Sequence, residues 1–367
     1  MNILYLLFSF TTGGTERLVT DLCNEMAARD HQVHLYVVND LYDQSMLDAL
    51  HPQVHVCLQK RAAGSRQKIQ TLLSVARYIR KHKIQIVHCH SMNAPDLLLL
   101  KPVAFPKVKV LYTVHSMNSY SQLSAKKIAL RNRLCHKLIA ISESVHQDML
   151  SRGADPAKLI TIYNAIDLSR FPEPQSSHIP SQAARIGNVA RIDSQIKGQD
   201  ILLDALALLP KDKTPLQCHF AGAPDANHIR DLQNLKAQAA SLGLEDRVRF
   251  LGNMSDIPAF LQTIDIFVLP SRSEGFGISL VEALCMGIPC IASNLDGPAE
   301  VLNHGQYGLL FRSEDPADLA QKLLLVLENY GFYRQAAISQ AAEIRSLFQI
   351  GNMCDRIEAL FGDQVSG

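Results

Sequence analysis

The sequence predicts an α/β chain made of two doubly wound parallel-sheet domains, and three observations carry that prediction. Short apolar runs alternate with segments of helical period along most of the length, as repeated βαβ units with both sheet faces covered require. The alternation begins twice, at Asn2 and again at Arg185, on either side of the polar, proline-containing stretch P-E-P-Q-S-S-H-I-P-S-Q. At 367 residues, the chain is also longer than one hydrophobic core accommodates.

In the first half, the candidate strands are residues 2–8, 32–38, 85–88, 109–114, 137–141 and 159–162. In the second half they are residues 185–189, 216–221, 247–251, 266–270, 290–293 and 308–311. The expected division is residues 1–172, a linker over 173–184, a second domain over 185–345, and a closing helix within 346–367. The stretch S-E-D-P-A-D-L starts a helix, with Asp315 as cap, Pro316 in the first turn and Asp318 facing the dipole.

Composition narrows the function classes. No apolar run is long enough to span a bilayer, and N-I-L-Y-L-L-F at the start lacks the basic opening and cleavage site of a signal peptide, so a cytoplasmic protein is expected. The eight cysteines lie mostly inside apolar runs without a C-x-x-C pair, and read as buried reduced thiols. The net charge of +1 hides an asymmetry: residues 1–172 carry 21 Lys and Arg against 12 Asp and Glu, and residues 173–367 carry 15 against 23, so the halves are +9 and −8. Without interleaved aromatics, the basic half points to an anionic surface or substrate and away from nucleic acid. Two basic segments stand out: residues 60–83 (Lys60, Arg61, Arg66, Lys68, Arg77, Arg80, Lys81, Lys83) and residues 124–137 (Lys126, Lys127, Arg131, Arg133, Lys137). Each suits either anionic lipid headgroups or a surface helix packed on its sheet.

The stretch S-R-S-E-G-F-G-I-S-L-V-E-A-L-C-M-G-I-P holds the most chemistry. A strand ends before it, Gly275 and Gly277 let the backbone approach a ligand, and a helix opens near Ile278 and stops at Met286 before Gly287 and Pro289. The amides of Gly277, Ile278 and Ser279 then face a positive dipole end suited to a diphosphate. Glu282, on the first or second helical turn, leans back over that site toward a ribose, and Glu274 sits on the loop before it. Taken singly, Glu282 could equally complement the dipole and Glu274 be a solvated loop residue.

E-G-F-G-I-S-L-V-E resembles the motif of two glutamates separated by seven residues in retaining glycosyltransferases of the GT-B fold. G-G-T-E-R, V-H-C-H-S, T-V-H-S, A-I-S-E-S, Y-N-A-I-D, N-V-A-R-I-D-x3-K-G and D-I-F-V-L-P-S extend the resemblance to family 4 of those enzymes over nearly the whole length. The resemblance implies two Rossmann-like domains facing across a cleft, with the nucleotide-sugar donor on the second domain and the acceptor on the first. Arg191 and Lys197 match the basic pair that holds the donor diphosphate and stabilises charge growing on the leaving nucleotide. Glu282 matches the ribose-binding glutamate, and Glu274, with Gly275, Phe276, Gly277, Ile278 and Ser279, lines the donor site. His115 matches the histidine near the donor sugar and phosphate. Gly13 and Gly14 match a glycine loop that reaches the phosphates or acceptor, with Thr15 as an alternative helix cap. The catalytic set is therefore Glu274, His115, Arg191 and Lys197, with His88, His90 and Ser91 as an acceptor wall. His88 and His90 are spaced to share a strand face, which also leaves a metal pair or simple packing open.

No D-x-D pair is present, so no metal and no cofactor are expected. The resemblance further implies a retaining, metal-independent transfer from a UDP- or GDP-sugar to a glycan or lipid-linked acceptor, in cell-surface polysaccharide, lipopolysaccharide or glycolipid synthesis. A peripheral contact with anionic membrane would serve that acceptor. The chain departs from the family pattern at Ala165, Ala190 and Asp296, the last placing a carboxylate where a glycine pair is common. A nucleotide-sugar epimerase or phosphorylase of the same fold, or a non-catalytic nucleotide-sugar-binding subunit, are the alternatives.

Overall fold

The computed structural model describes residues 1–65, 67–117, 119–174, 184–210 and 216–362, and divides the chain into two units. One comprises Met1–Ile166 with Gln349–Gly367, the other Asp167–Phe348. Arg66, most of the expected linker and residues 363–367 lie outside the described residues.

The first unit is a parallel sheet of β1 (Asn2–Leu7), β2 (Gln32–Asn39), β3 (His55–Arg61), β4 (Ile86–Cys89), β5 (Lys109–Val114), β6 (Lys137–Ala140) and β7 (Leu159–Thr161), in the order β3-β2-β1-β4-β5-β6-β7. The central strands are buried along nearly their whole length, which explains why they read as unbroken apolar runs. β3 was not expected: it is an edge strand with His55, Val56 and Lys60 exposed, so it lacks that signature.

The helix Ile350–Gly362 belongs to this unit and buries Ile350, Met353, Cys354, Ile357 and Phe361. It docks beside the helix Gly14–Ala28, whose following residues hold it by charge. Arg29 donates to Asp355 and Glu358, at 2.6 Å each, and to the Gly351 carbonyl at 3.0 Å, while His31 Nε2 lies 2.7 Å from Glu358.

The second unit repeats the plan with β8 (Ala184–Val189), β9 (Leu216–Ala221), β10 (Val248–Gly252), β11 (Ile266–Leu269), β12 (Cys290–Ser293) and β13 (Leu309–Phe311), ordered β10-β9-β8-β11-β12-β13. Ile186, Phe220, Val268, Ile291 and Phe311 meet Leu202, Leu206, Leu319 and Leu323 from the covering helices in one core. Asp315 caps the helix Pro316–Glu328 by accepting from the Asp318 amide at 2.9 Å.

Two expectations about the basic segments need correcting. Residues 60–83 are not one helix-spaced face: Lys60 and Arg61 end β3, and the helix is Lys68–Lys81. Arg131 is not a surface cation but fully buried, donating to the carbonyls of Lys127 and Met92 and lying 3.1 Å from Asp96. A buried guanidinium is costly unless it is paired, and here Nη1 and Nη2 are met by two carbonyls and a carboxylate, while Nε has no hydrogen-bond partner. All eight cysteines are free, and seven are buried. Among the described residues, no helix is long and apolar enough to cross a membrane.

Candidate active site

Both sheets reverse direction of winding at a switch point, β1/β4 in the first unit and β8/β11 in the second. Open parallel sheets leave a ligand crevice at the carboxyl ends of the strands there. The sequence-predicted residues fall into two groups, one at each switch point.

In the second unit, β8 leads through Arg191 into the short helix Ser194–Lys197, capped by Asp193 accepting from the Ile196 amide at 3.3 Å. β11 leads through residues 271–277 into the helix Ile278–Cys285. Arg272 fastens these two connections together. Its amide donates to Ile196 O at 2.8 Å. Its guanidinium donates to Ser194 O at 2.6 Å and forks onto both Asp200 oxygens at 2.7 Å each. Gly198 completes the contact in the left-handed region (φ +63°), where a Cβ would sit 1.9 Å from the Pro270 carbonyl oxygen. The outcome is that Lys197 Nζ lies 2.8 Å from Glu274 Oε2, a partly buried ion pair.

Arg191 is half exposed and lies 3.3 Å from Asp225 and 3.5 Å from Asp193. His228 shares this acidic patch: its Nδ1 is 2.6 Å from Asp225, whose carboxyl that hydrogen bond holds below its ordinary value, and its Nε2 is 3.6 Å from Asp193. Among the described residues, Asp193, His228 and Asp231 are the one trio of potential ligands with donor atoms all within 4.8 Å. The Arg191 guanidinium already stands against Asp193 there, where a bound cation would compete with it.

The helix Ile278–Cys285 opens at Gly277, whose φ of +96° only glycine adopts readily. The first amides of a helix have no acceptor within it, so Gly277, Ile278 and Ser279 are suited to an anion. Glu282 lies in this helix and is 6% exposed. Phe276, within the expected donor site, is 2% exposed and its ring packs edge-on against Phe348 at 5.7 Å, so it anchors the loop. Exposed Asp296 starts the helix Asp296–Val301, and a Cβ on its neighbour Gly297 would meet Glu274 O at 2.6 Å and Gly275 O at 2.7 Å. The family-discordant carboxylate is thus sequence neighbour to the residue packed on the Glu274 loop.

In the first unit, Gly13 caps and Gly14 begins the helix Gly14–Ala28; Thr15 lies inside that helix and does not cap it. Ser91 Oγ accepts from the Phe8 amide at 3.0 Å and so ties the ends of β1 and β4. His88 in β4, His90 after it and His115 after β5 form a cluster. His88 Nε2 lies 2.8 Å from Thr113 Oγ1, and His90 Nδ1 lies 2.9 Å from His115 Nε2. Desolvation pushes all three imidazoles down, His88 to about 3 and His115 to about 4. One nitrogen of each ring is thus engaged, by Thr113 for His88 and by the other imidazole for His90 and His115.

Sequence reasoning missed Arg272, Asp200, Asp225 and His228. Arg272 was readable only as the residue between two serines before Glu274, and its partner Asp200 is 72 positions away.

Comparison with known proteins gives this geometry its class. The solved structure of HepE from Anabaena in complex with UDP and glucose superimposes with a TM-score of 0.85, covering 99% of each chain at 23% identity. The fold is GT-B, with two Rossmann-like domains, and the chain is a glycosyltransferase. The model of glycosyl transferases group 1 matches residues 169–344, and that of glycosyltransferase family 4 matches residues 12–170. The chain belongs to this group 1, family 4 type of glycosyltransferase. The phosphatidyl-myo-inositol mannosyltransferase of Mycobacterium leprae is 28% identical over 90% of this chain and 88% of its own. The N-acetyl-alpha-D-glucosaminyl L-malate synthase of Bacillus anthracis is 21% identical over 96% and 94%.

Proposed function

We propose that the chain transfers a sugar, with retention of anomeric configuration, from a nucleotide diphosphate donor to a glycan or lipid-linked acceptor. The observation that carries this reading is the gathering of Arg191, Lys197, Glu274 and the Ile278–Cys285 helix at the switch point of the second sheet. Arg191, Lys197 and the amides of Gly277, Ile278 and Ser279 hold the diphosphate and neutralise it as it leaves, so the transfer needs no divalent metal. Glu282 takes the ribose. Glu274, freed from Lys197 when phosphate arrives, orients sugar hydroxyls and balances oxocarbenium-like charge without becoming a covalent nucleophile. The departing phosphate helps deprotonate the acceptor, which attacks from the face it leaves. The first unit takes the acceptor, with Gly13, Gly14, His88, His90 and Ser91 around it and His115 toward the sugar.

HepE holds UDP and glucose, which supports a UDP-sugar as first candidate, with GDP-sugars next. A lipid-linked acceptor agrees with the Mycobacterium leprae relative and with the helix Lys68–Lys81, which exposes Ile69 and Leu73 beside Lys68, Arg77, Arg80 and Lys81. That face suits peripheral contact with the anionic inner surface of a cell membrane, and the synthesis served is that of surface polysaccharide, lipopolysaccharide or glycolipid.

Thermal stabilisation by UDP, GDP, ADP and their sugars tests the donor site, with Glu282→Ala and Arg191→Ala in parallel. A selective shift in the wild type that both variants lose is expected. The absence of any shift would overturn the nucleotide-sugar reading. Sugar turnover without acceptor, in the presence of a shift, would favour an epimerase or phosphorylase.

A further inference from the structure

The imidazole cluster of the first unit does something that its individual residues do not explain. His90 is 4% exposed, and its ring packs 4.0 Å from that of His88, 5.2 Å from that of His115 and 5.7 Å from that of Tyr5. The only polar contact the chain gives to His115 is the 2.9 Å approach of its Nε2 to His90 Nδ1 among the described hydrogen bonds. The outer nitrogens, His90 Nε2 and His115 Nδ1, are buried with no hydrogen-bond partner from the chain.

Burial keeps both rings neutral, so each carries one proton on one of its two nitrogens. A single N–H···N bond between them then couples the choice. If His90 carries its proton on Nδ1, His115 Nε2 must be bare and its own proton must sit on Nδ1. If His115 carries its proton on Nε2, His90 Nδ1 must be bare and its proton must sit on Nε2. The two rings are therefore the same tautomer, and the nitrogen of His115 left for another molecule is donor or acceptor according to the state of His90.

We propose that His90 is the positioning residue of His115, fixing its ring plane and its tautomer so that His115 Nδ1 offers one defined hydrogen-bonding character to a hydroxyl-bearing group. This rests on the reading of His115 as a sugar contact, and it gives the buried His90 a place behind that contact in addition to its place in the acceptor wall. The arrangement is the one used for metal-bound and catalytic imidazoles, in which the partner of one nitrogen decides what the other can do.

The test is long-range proton–nitrogen correlation NMR on the full chain labelled with nitrogen-15 histidine, at neutral pH, with rings assigned from His90→Phe, His90→Asn and His115→Asn. In the wild type, His90 and His115 should each show a single neutral tautomer, and the same one. His90→Phe should leave His115 with the averaged shifts of mixed tautomers, and His90→Asn, whose amide can still bond Nε2, should restore a single one. Where transfer is measurable, His90→Phe should lower turnover up to about tenfold, the equivalent of one hydrogen bond, with partial recovery in His90→Asn. Unlike tautomers in the wild type would overturn the proposal without any variant, as would a His115 spectrum indifferent to His90→Phe. The spectra are read without substrate, so a chain that matched them but transferred no sugar would defeat the functional reading alone.

Discussion

Replacing His88 with glutamine should flatten the dependence of stability on pH. The ring is 1% exposed in the folded chain, and burial, helped by His115, lowers its pKa from 6.5 to about 3. Below pH 6.5, the unfolded chain takes up a proton that the folded chain refuses, so acid favours unfolding. The penalty begins at the unfolded pKa and grows until pH falls to the folded one. Each pH unit in that window costs about 1.4 kcal/mol, and the accumulated loss by pH 4 is about 3 kcal/mol. That is a large share of the ~5–15 kcal/mol by which domains are stable. Glutamine can still bond Thr113 Oγ1 but does not titrate. The chain has no tryptophan, so urea unfolding at pH 7.5, 6, 5 and 4 would be followed by far-ultraviolet circular dichroism. The variant's curve should be shallower by about 1 kcal/mol per pH unit between pH 6 and 4. Parallel curves would mean that His88 binds the same protons folded and unfolded, and would refute the reasoning.

Three further outcomes follow from the geometry. Gly198→Ala should destabilise the second unit by more than the ~1–2 kcal/mol of a left-handed residue, because the added Cβ meets the Pro270 carbonyl oxygen at 1.9 Å; thermal melting would show it, and a cost below 1 kcal/mol would refute the contact. Arg272→Lys should slow transfer about as much as Arg272→Ala, roughly tenfold, because lysine cannot fork onto Asp200 while reaching Ser194 O; full activity in the lysine variant would show that charge alone suffices. In Glu358, burial raises the carboxyl pKa, but the His31 and Arg29 hydrogen bonds outweigh it and hold the group below its ordinary value. Its contribution is present above the unfolded pKa and lost as pH falls through the folded one. Glu358→Gln should therefore weaken the chain at pH 7, and its deficit against wild type should shrink as pH falls through the folded-state pKa in the same unfolding assay.

How much was legible depended on where each residue's partners lie. β5, β9 and β12 were readable to the residue: β5 and β12 are buried almost throughout and read as short apolar runs, while β9 alternates buried Leu216, Cys218 and Phe220 with partly exposed Gln217 and His219. β3 was not, since an edge strand tolerates the glutamine and lysine that it carries. Lys197 and Glu274 were singled out separately from their motifs, but that they touch follows from Arg272 and Asp200, and nothing local in the sequence pairs those two. Arg131 was misplaced for the same reason: basic residues read as solvated until a distant acceptor, here Met92 O and Asp96, is known. The motif of His88 and His90 was visible, whereas the bond from His90 to His115 joins two strand ends 25 residues apart.

The first unit takes the helix Ile350–Gly362 from beyond the whole of the second. During synthesis, the ribosome therefore delivers Asp167–Phe348 complete while the helix Gly14–Ala28 still waits for its neighbour, with Arg29 and His31 lacking Asp355 and Glu358. The half of the protein made first is the half finished last. A nascent chain stalled before Ile350 would hold one closed domain and one with an open apolar seam, a difference that chaperones and proteases can read. Only a chain translated past that point hides both cores.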